Sequence, residues 1–240
     1  MYRYVKEVKK KRIQIPRVIP FLFMALGFFV LLWTVWPILA FTTFTEQLLA
    51  QTVSPVSDRN EGAQTSALAS MHYQDPTIVE NDSVYANANT WFPMKPQKKG
   101  MTTVNTYTVS IPKLKIENAM VTVAGDDLNT SLIHYGGTPL PGQYGNAVIF
   151  GHSTLPQFYN PKNYKTIFSL LPSMQKGDEI FIHNDGVDYR YVVYDLLVVE
   201  PTDLSPLEQR FDDSYITVVT CVPPGTYWKR LNVKAKLEKT

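Results

Sequence analysis

Hydrophobic and polar positions divide the chain into three stretches of different rhythm. From Val18 to Thr45, 28 consecutive positions carry no Asp, Glu, Lys, Arg or His. About 20 apolar residues at 1.5 Å each already cross the hydrocarbon core of a bilayer, so the pattern predicts a membrane-spanning helix. Trp33 and Trp36 stand toward its far end, where indole rings favour the lipid–water boundary, and Pro20 and Pro37 lie near its two ends. A cleaved signal peptide is the rival reading. Its apolar region runs only about 7–15 residues, so the length here favours an uncleaved anchor. Residues 46–101 then turn to Gln, Thr, Ser, Asn and Ala with scattered prolines and the near-repeat Ala86-Asn87-Ala88-Asn89, and no apolar period persists. Such a segment buries too little apolar surface to offset the cost of ordering it, which predicts a mobile tether. Trp91, Phe92 and Pro93 break the polar pattern and are expected to pack onto a folded domain.

From Thr102 the rhythm changes to short β-branched and aromatic runs separated by Gly, Pro, Asn and Asp. Expected strands are Thr106 to Ile111, Ala119 to Val123, Asn146 to Phe150, Glu179 to His183, Tyr189 to Tyr194, Leu196 to Glu200, Tyr215 to Cys221 and Arg230 to Leu237. Only Asn163 to Leu171 has a helical spacing, with Ile167, Phe168, Leu170 and Leu171 on one side. Eight short strands and one short helix in residues 102–240 predict a mainly β domain, a closed or nearly closed eight-stranded barrel that leaves few exposed edges. The expected organisation is a basic tip over 1–17, a transmembrane anchor over 18–45, a linker over 46–101 and the barrel over 102–240.

Charge adds an orientation. The tip holds seven Lys and Arg and one acid, leaving 16 basic and 20 acidic residues for the rest. Positive residues beside a span stay cytoplasmic, so the barrel is expected outside the cytoplasm. A formal net charge of +2 argues against a nucleic-acid partner.

A single cysteine excludes an internal disulfide and any Cys-rich zinc module. Cys221 ends the run Tyr215 to Thr220 and precedes Val222-Pro223-Pro224-Gly225, a place where a strand can present a side chain to solvent. Free Cys is also commonly a small buried hydrophobe, so Cys221 alone decides nothing. A Cys nucleophile needs a proton-handling partner, usually His. His72 falls in the linker and His183 within an apolar strand. His134 and His152 are the better candidates, since His152 follows Ala147-Val148-Ile149-Phe150-Gly151 at a strand's end, with Gly151 permitting close approach. In Arg230 to Leu237, alternation puts Leu231, Val233, Ala235 and Leu237 on one face and points Arg230 away from the core, on the strand that follows the Cys221 strand.

Taken together these residues resemble the sortase family, membrane-anchored cysteine transpeptidases of bacterial surfaces, over about residues 107–237. Ile111-Pro112-Lys113-Leu114-Lys115-Ile116 is similar to the opening strand motif. The run from His134-Tyr135-Gly136-Gly137-Thr138-Pro139 to Gly145-Asn146-Ala147-Val148-Ile149-Phe150-Gly151-His152 resembles the approach to the family's catalytic His. Ile167-Phe168 with Leu170, Leu171 and Gly177-Asp178-Glu179-Ile180 resembles the helix and turn that follow. Thr217-Val218-Val219-Thr220-Cys221 is similar to the TLxTC signature, with Val218 in place of Leu, and Arg230-Leu231-Asn232-Val233 to the strand carrying the family's Arg. No second span follows the barrel pattern, unlike many sortases that polymerise pilins, and Asp75-Pro76-Thr77 only faintly matches the Asp-Pro-aromatic lid of those enzymes.

The resemblance implies that Cys221 attacks the Thr carbonyl of an LPxTG-like sorting signal in a secreted protein. It further implies that His152 gives the leaving amine its proton, that Arg230 holds the substrate and its oxyanion, and that Thr220 and His134 bind substrate. An amine acceptor, such as a peptidoglycan precursor or a pilin, would resolve the thioacyl enzyme without a cofactor. Asp126-Asp127 and Asp212-Asp213 read as turn residues, so no metal is expected. A reading of another class is a membrane-tethered barrel that binds wall or surface-protein ligands without catalysis. A papain-like protease or a Cys L,D-transpeptidase is disfavoured for want of a Cys-bearing helical start or a His-Gly-Cys run.

Overall fold

A computed structural model describes residues 18–40, 86–92, 95–98 and 106–238. The N-terminal apolar run forms helix α1, Val18–Ala40, whose 23 residues rise about 35 Å and are exposed from Val18 to Trp36. It is long and apolar enough to cross a bilayer. Residues 41–45 of the expected anchor, residues 46–85 of the expected linker with Asp75-Pro76-Thr77, and Pro93 lie outside the described residues.

The second unit is a closed barrel of eight strands: β1 Thr106–Ile111, β2 Ile116–Val123, β3 Leu132–His134, β4 Gly145–Phe150, β5 Glu179–Asn184, β6 Val187–Val199, β7 Ser214–Val222 and β8 Lys229–Leu237. They run in the order β1-β2-β3-β4-β7-β8-β6-β5, and β5 pairs back to β1 to close the ring. β2–β3 and β4–β7 are parallel and the other neighbours antiparallel. Alternation explains the interior, because Val109 and Ile111, Ile180 and Ile182, Ile216 and Val218, and Leu231, Val233 and Ala235 all turn into one core. The turn between β5 and β6 is Asp185-Gly186, both at positive φ (52° and 75°), the two-residue hairpin geometry that Asp-Gly favours.

The total of eight strands agrees with expectation, although two differences offset each other. The runs Tyr189 to Tyr194 and Leu196 to Glu200 form one strand, β6, whose register with β8 shifts between Val193 and Asp195. A bulge of this kind bends a strand and spoils its alternation, which made one element look like two. β3 was not expected, because three residues are too few to show a period. The helix expected over Asn163 to Leu171 is instead a chain of turns ending in the 3-10 turn Leu171–Ser173. Thr166 and Ser169 donate their amides three residues back, to Asn163 and Thr166, while the Phe168 amide leaves the segment for the His152 carbonyl at 3.0 Å. The helical ladder loses its donor there.

β4 and β7 are buried on both faces, in all six and all nine of their residues. Their inner face belongs to the core. Their outer face carries a second apolar cluster, where Val148, Phe150, Val219 and Cys221 meet Ile133, Tyr135 and Leu207 together with Ala88, Trp91 and Phe92 from before the barrel. Trp91 and Phe92 thus pack onto the domain as their sequence pattern predicts, each 1% exposed. Asn87 and Asn89, which look like linker residues, are tied down instead. Asn87 caps the turn Ala88–Thr90 by accepting from the Asn89 amide, and the Asn89 side chain donates to Asp126 at 2.7 Å. Backbone bonds Ala88 to Asp126 and Leu128 to Ala86, both 2.9 Å, fasten this strap, and Gln97 and Lys98 hold to Gly136 farther on.

Candidate active site

Cys221 and Arg230 are directly paired across β7 and β8, so their side chains leave the sheet on the same outer face. The Arg230 Nη1 donates to Cys221 Sγ at 3.3 Å and also reaches the Tyr227 carbonyl at 3.3 Å. Alternation correctly turned Arg230 away from the barrel interior. It did not leave it in solvent, because the Trp91 ring lies 4.7 Å from the guanidinium carbon and Arg230 is 2% exposed. A cation over an indole face is attracted by the ring quadrupole, and more strongly where water is excluded.

His152 follows β4, the strand on the other side of Cys221. β4 and β7 pair in parallel up to Phe150 and Val219, and His152 follows two residues past the end of β4 while Cys221 lies two residues further along β7. The end of β4 is held there by the Gly151 amide donating to Val219 O at 3.2 Å and by Ser153 Oγ donating to Cys221 O at 2.6 Å. Gly151 is required by close approach, since a Cβ there would lie 2.4 Å from the Phe168 ring and 2.6 Å from Leu132. Trp91 also faces His152, with ring centroids 6.2 Å apart. One aromatic residue of the strap therefore touches both expected partners of the thiol.

Two expected substrate contacts are placed elsewhere. His134 pairs with Ile149, an interior residue, and is fully buried inside the barrel, on the opposite face of the sheet from Cys221. Its Nδ1 shares a 2.9 Å hydrogen bond with Tyr107 Oη and its Nε2 a 3.0 Å one with Thr138 Oγ1. Burial lowers its pKa to about 4, so it is a neutral core histidine. Thr220 is also fully buried and faces inward, where its Oγ1 donates to the Gly151 carbonyl at 2.8 Å. It fixes the backbone beside His152 instead of lining a groove. The Asp pairs serve turns and surface contacts: Asp127 accepts from the Asn129 amide, and Asp212 from Arg210 and Tyr215.

Trp91 and Ser153 were missed as parts of this site. Trp91 had a signal, an aromatic in a polar stretch, that predicted packing and not its place. Ser153 had none, being one hydroxyl in a loop.

Burial governs the thiol's chemistry. Cys221 is 1% exposed, and desolvation pushes its pKa up to about 11 against the opposing pull of Arg230. With the strap seated it is a protonated thiol. A family model described as a sortase domain matches residues 109–238. This chain belongs to the sortase family. Among its relatives, Sortase A of Streptococcus agalactiae serotype III (strain NEM316) is 26% identical over 136 residues, 55% of this chain and 52% of that protein. Sortase A of Bacillus anthracis is 27% identical over 135 residues, 55% of this chain and 59% of that protein. The chain thus spans between half and three-fifths of these sortases' length. Among solved structures, a lid mutant of Sortase A from Corynebacterium diphtheriae is 28% identical with a TM-score of 0.50, over 57% of this chain and 71% of that one.

Proposed function

We propose that this sortase is a cysteine transpeptidase that cleaves an LPxTG-like sorting signal through a thioacyl intermediate on Cys221 and passes the acyl group to an amine. The observation that carries the proposal is the 3.3 Å contact between Cys221 Sγ and the Arg230 guanidinium at the end of an apolar outer face, where the Trp91 ring that lies over the guanidinium also faces His152, two residues past the end of β4. Each role follows from what the group can do. Sulfur attacks the carbonyl once its proton is gone. The Arg230 guanidinium presents donors in a fixed plane toward the developing oxyanion. An imidazole acts as base and acid in turn, which suits His152 to taking the thiol proton, giving it to the leaving amine and then deprotonating the incoming one.

Splitting acyl transfer into two steps allows an amine to compete with water, which suits an enzyme that joins chains. The acceptor would be a wall precursor or a pilin. A single-pass anchor at α1, with the basic tip inside and residues 102–240 as an extracytoplasmic catalytic domain, fits substrates that emerge at that surface. Protease added to intact cells would then remove the barrel and spare the tip. For the chemistry, full-length chain in detergent micelles is incubated with a pool of LPxTG-type peptides and several amines. Thioacyl capture and transpeptidation should appear with the wild type and vanish in a Cys221→Ala chain that melts normally. Peptide cleavage that survives Cys221→Ala would refute Cys221 as the nucleophile, and no cleavage by the wild type would refute the transpeptidase assignment and favour a ligand-binding barrel.

A further inference from the structure

Strand β8 sends Leu231, Val233 and Ala235 inward and Arg230, Asn232, Lys234 and Lys236 outward. An outward Asn is expected to meet water. Asn232 is instead fully buried, and neither its Oδ1 nor its Nδ2 has a hydrogen-bonding partner. It pairs with Val219 on one side and Leu197 on the other, two residues along from Arg230. Among the described residues, five buried side-chain polar atoms lack a partner, and four of them belong to this outer face: both carboxamide atoms of Asn232, the Arg230 Nε and the Tyr135 hydroxyl.

Buried polar groups are almost always satisfied, and one left bare costs the fold the full desolvation of that group. Unpartnered donors and acceptors gathered on one apolar face beside a nucleophile are what a site looks like before its ligand supplies the missing partners. A carboxamide offers one acceptor and one donor side by side, the complement of a single peptide group. Residues i and i+2 of a strand lie about 7 Å apart, which is also the repeat of an extended peptide.

From this geometry we infer that Asn232 is a substrate-positioning residue, whose carboxamide hydrogen-bonds one main-chain peptide group of the bound acyl donor two residues from the carbonyl that reacts at Cys221. The inference rests on the transpeptidase reading. It requires the strap to lift, because Trp91 and Phe92, with Leu204 and Leu207, now close this face. The contact is to main chain and lies away from the reacting bond, so it strengthens binding of ground state and transition state alike and acts on KM more than on kcat. A neutral hydrogen bond is individually modest, and losing the pair in a dry groove corresponds to about a tenfold loss.

The test uses full-length chain in detergent micelles with a pool of LPxTG-type peptides and compares wild type, Asn232→Leu and Asn232→Ala. Leu has similar bulk and no polar atoms, while Ala adds no bulk and guards against a poor fit of Leu. Both should raise KM about tenfold, equally across the pool, with kcat within about twofold. The melting temperature of Asn232→Leu should equal or exceed that of the wild type, because the variant removes an unsatisfied buried amide. Unchanged KM in both variants overturns the inference, and lowered melting with unchanged KM assigns Asn232 a purely structural role. Absence of any Cys221-dependent turnover by the wild type overturns the transpeptidase reading and this inference with it.

Discussion

Trp91→Ala perturbs the site through a residue that belongs to the strap and not to the barrel. Trp91 covers Arg230 and His152 and shares the outer cluster with Cys221. At pH 8 a thiol of pKa about 11 is ionised in about one molecule in a thousand. Restored toward the ordinary 9.0, it would be ionised in about one in ten, a hundredfold gain in the nucleophilic form. A less basic thiolate is a weaker nucleophile, and a Brønsted coefficient near 0.5 returns about tenfold of that gain. The net expectation is at least a tenfold faster reaction with the neutral reagent 2,2′-dithiodipyridine, followed by pyridine-2-thione absorbance. Access adds to this, since the sulfur is almost wholly covered in the wild type. Trp91→Phe keeps an apolar cover and should stay within about threefold of the wild type. Circular dichroism should show an intact barrel in both, because loss of strap contacts is met by local detachment before global unfolding. A Trp91→Ala chain that reacts within twofold of wild type would show that the strap does not control the thiol.

Arg230→Ala should reduce transpeptidation by about 10²–10³ and Arg230→Lys should recover only part, because Lys supplies charge without the planar fork; peptide turnover checks both. The same change should slow the dipyridyl reaction, since Arg230 is the group that pulls the Cys221 pKa down. His134 binds its proton near 6.5 when unfolded but only near 4 when folded, so the unfolded chain takes up the extra proton in that window. Stability should therefore fall by about 3 kcal/mol as pH drops from 6.5 to 4, a slope that urea melts should find missing in His134→Leu. At neutral pH His134→Leu should lose about 1–3 kcal/mol, because Tyr107 Oη is left without its buried partner, and transpeptidation by the folded fraction should be unchanged.

What could be read from sequence tracks what leaves a periodic trace. Leu231, Val233 and Ala235 alternate over enough residues to fix a face, and that was sufficient to turn Arg230 out of the core. Cys221 and His152 each end an apolar run, so their strands and polarity were visible. The parallel β4–β7 ladder that sets the two strand ends side by side was not, because register between strands some 70 residues apart leaves no mark within either one. His134 and Thr220 sit in motif-like runs, and motif proximity does not distinguish one face of a strand from the other. Asn232 marks the opposite case: it shares the outward face of β8 with Arg230, Lys234 and Lys236, yet it is fully buried, and nothing in the local pattern marks that burial.

The strand order carries a consequence for how the molecule completes itself. Without β7 and β8 the remaining six strands form one open sheet, β4-β3-β2-β1-β5-β6, with bare edges at β4 and β6. The last hairpin inserts between those edges, pairing β7 with β4 and β8 with β6, and so removes both templates for unwanted association at once. Cys221 and Arg230 ride on that hairpin as a cross-strand pair, while His152 waits at the end of β4. The sulfur enters the sheet already beside its guanidinium, and the end of β4 that leads to His152 is joined to β7 only when the ring closes, so the pairing that brings these strand ends together is the same one that leaves no edge open.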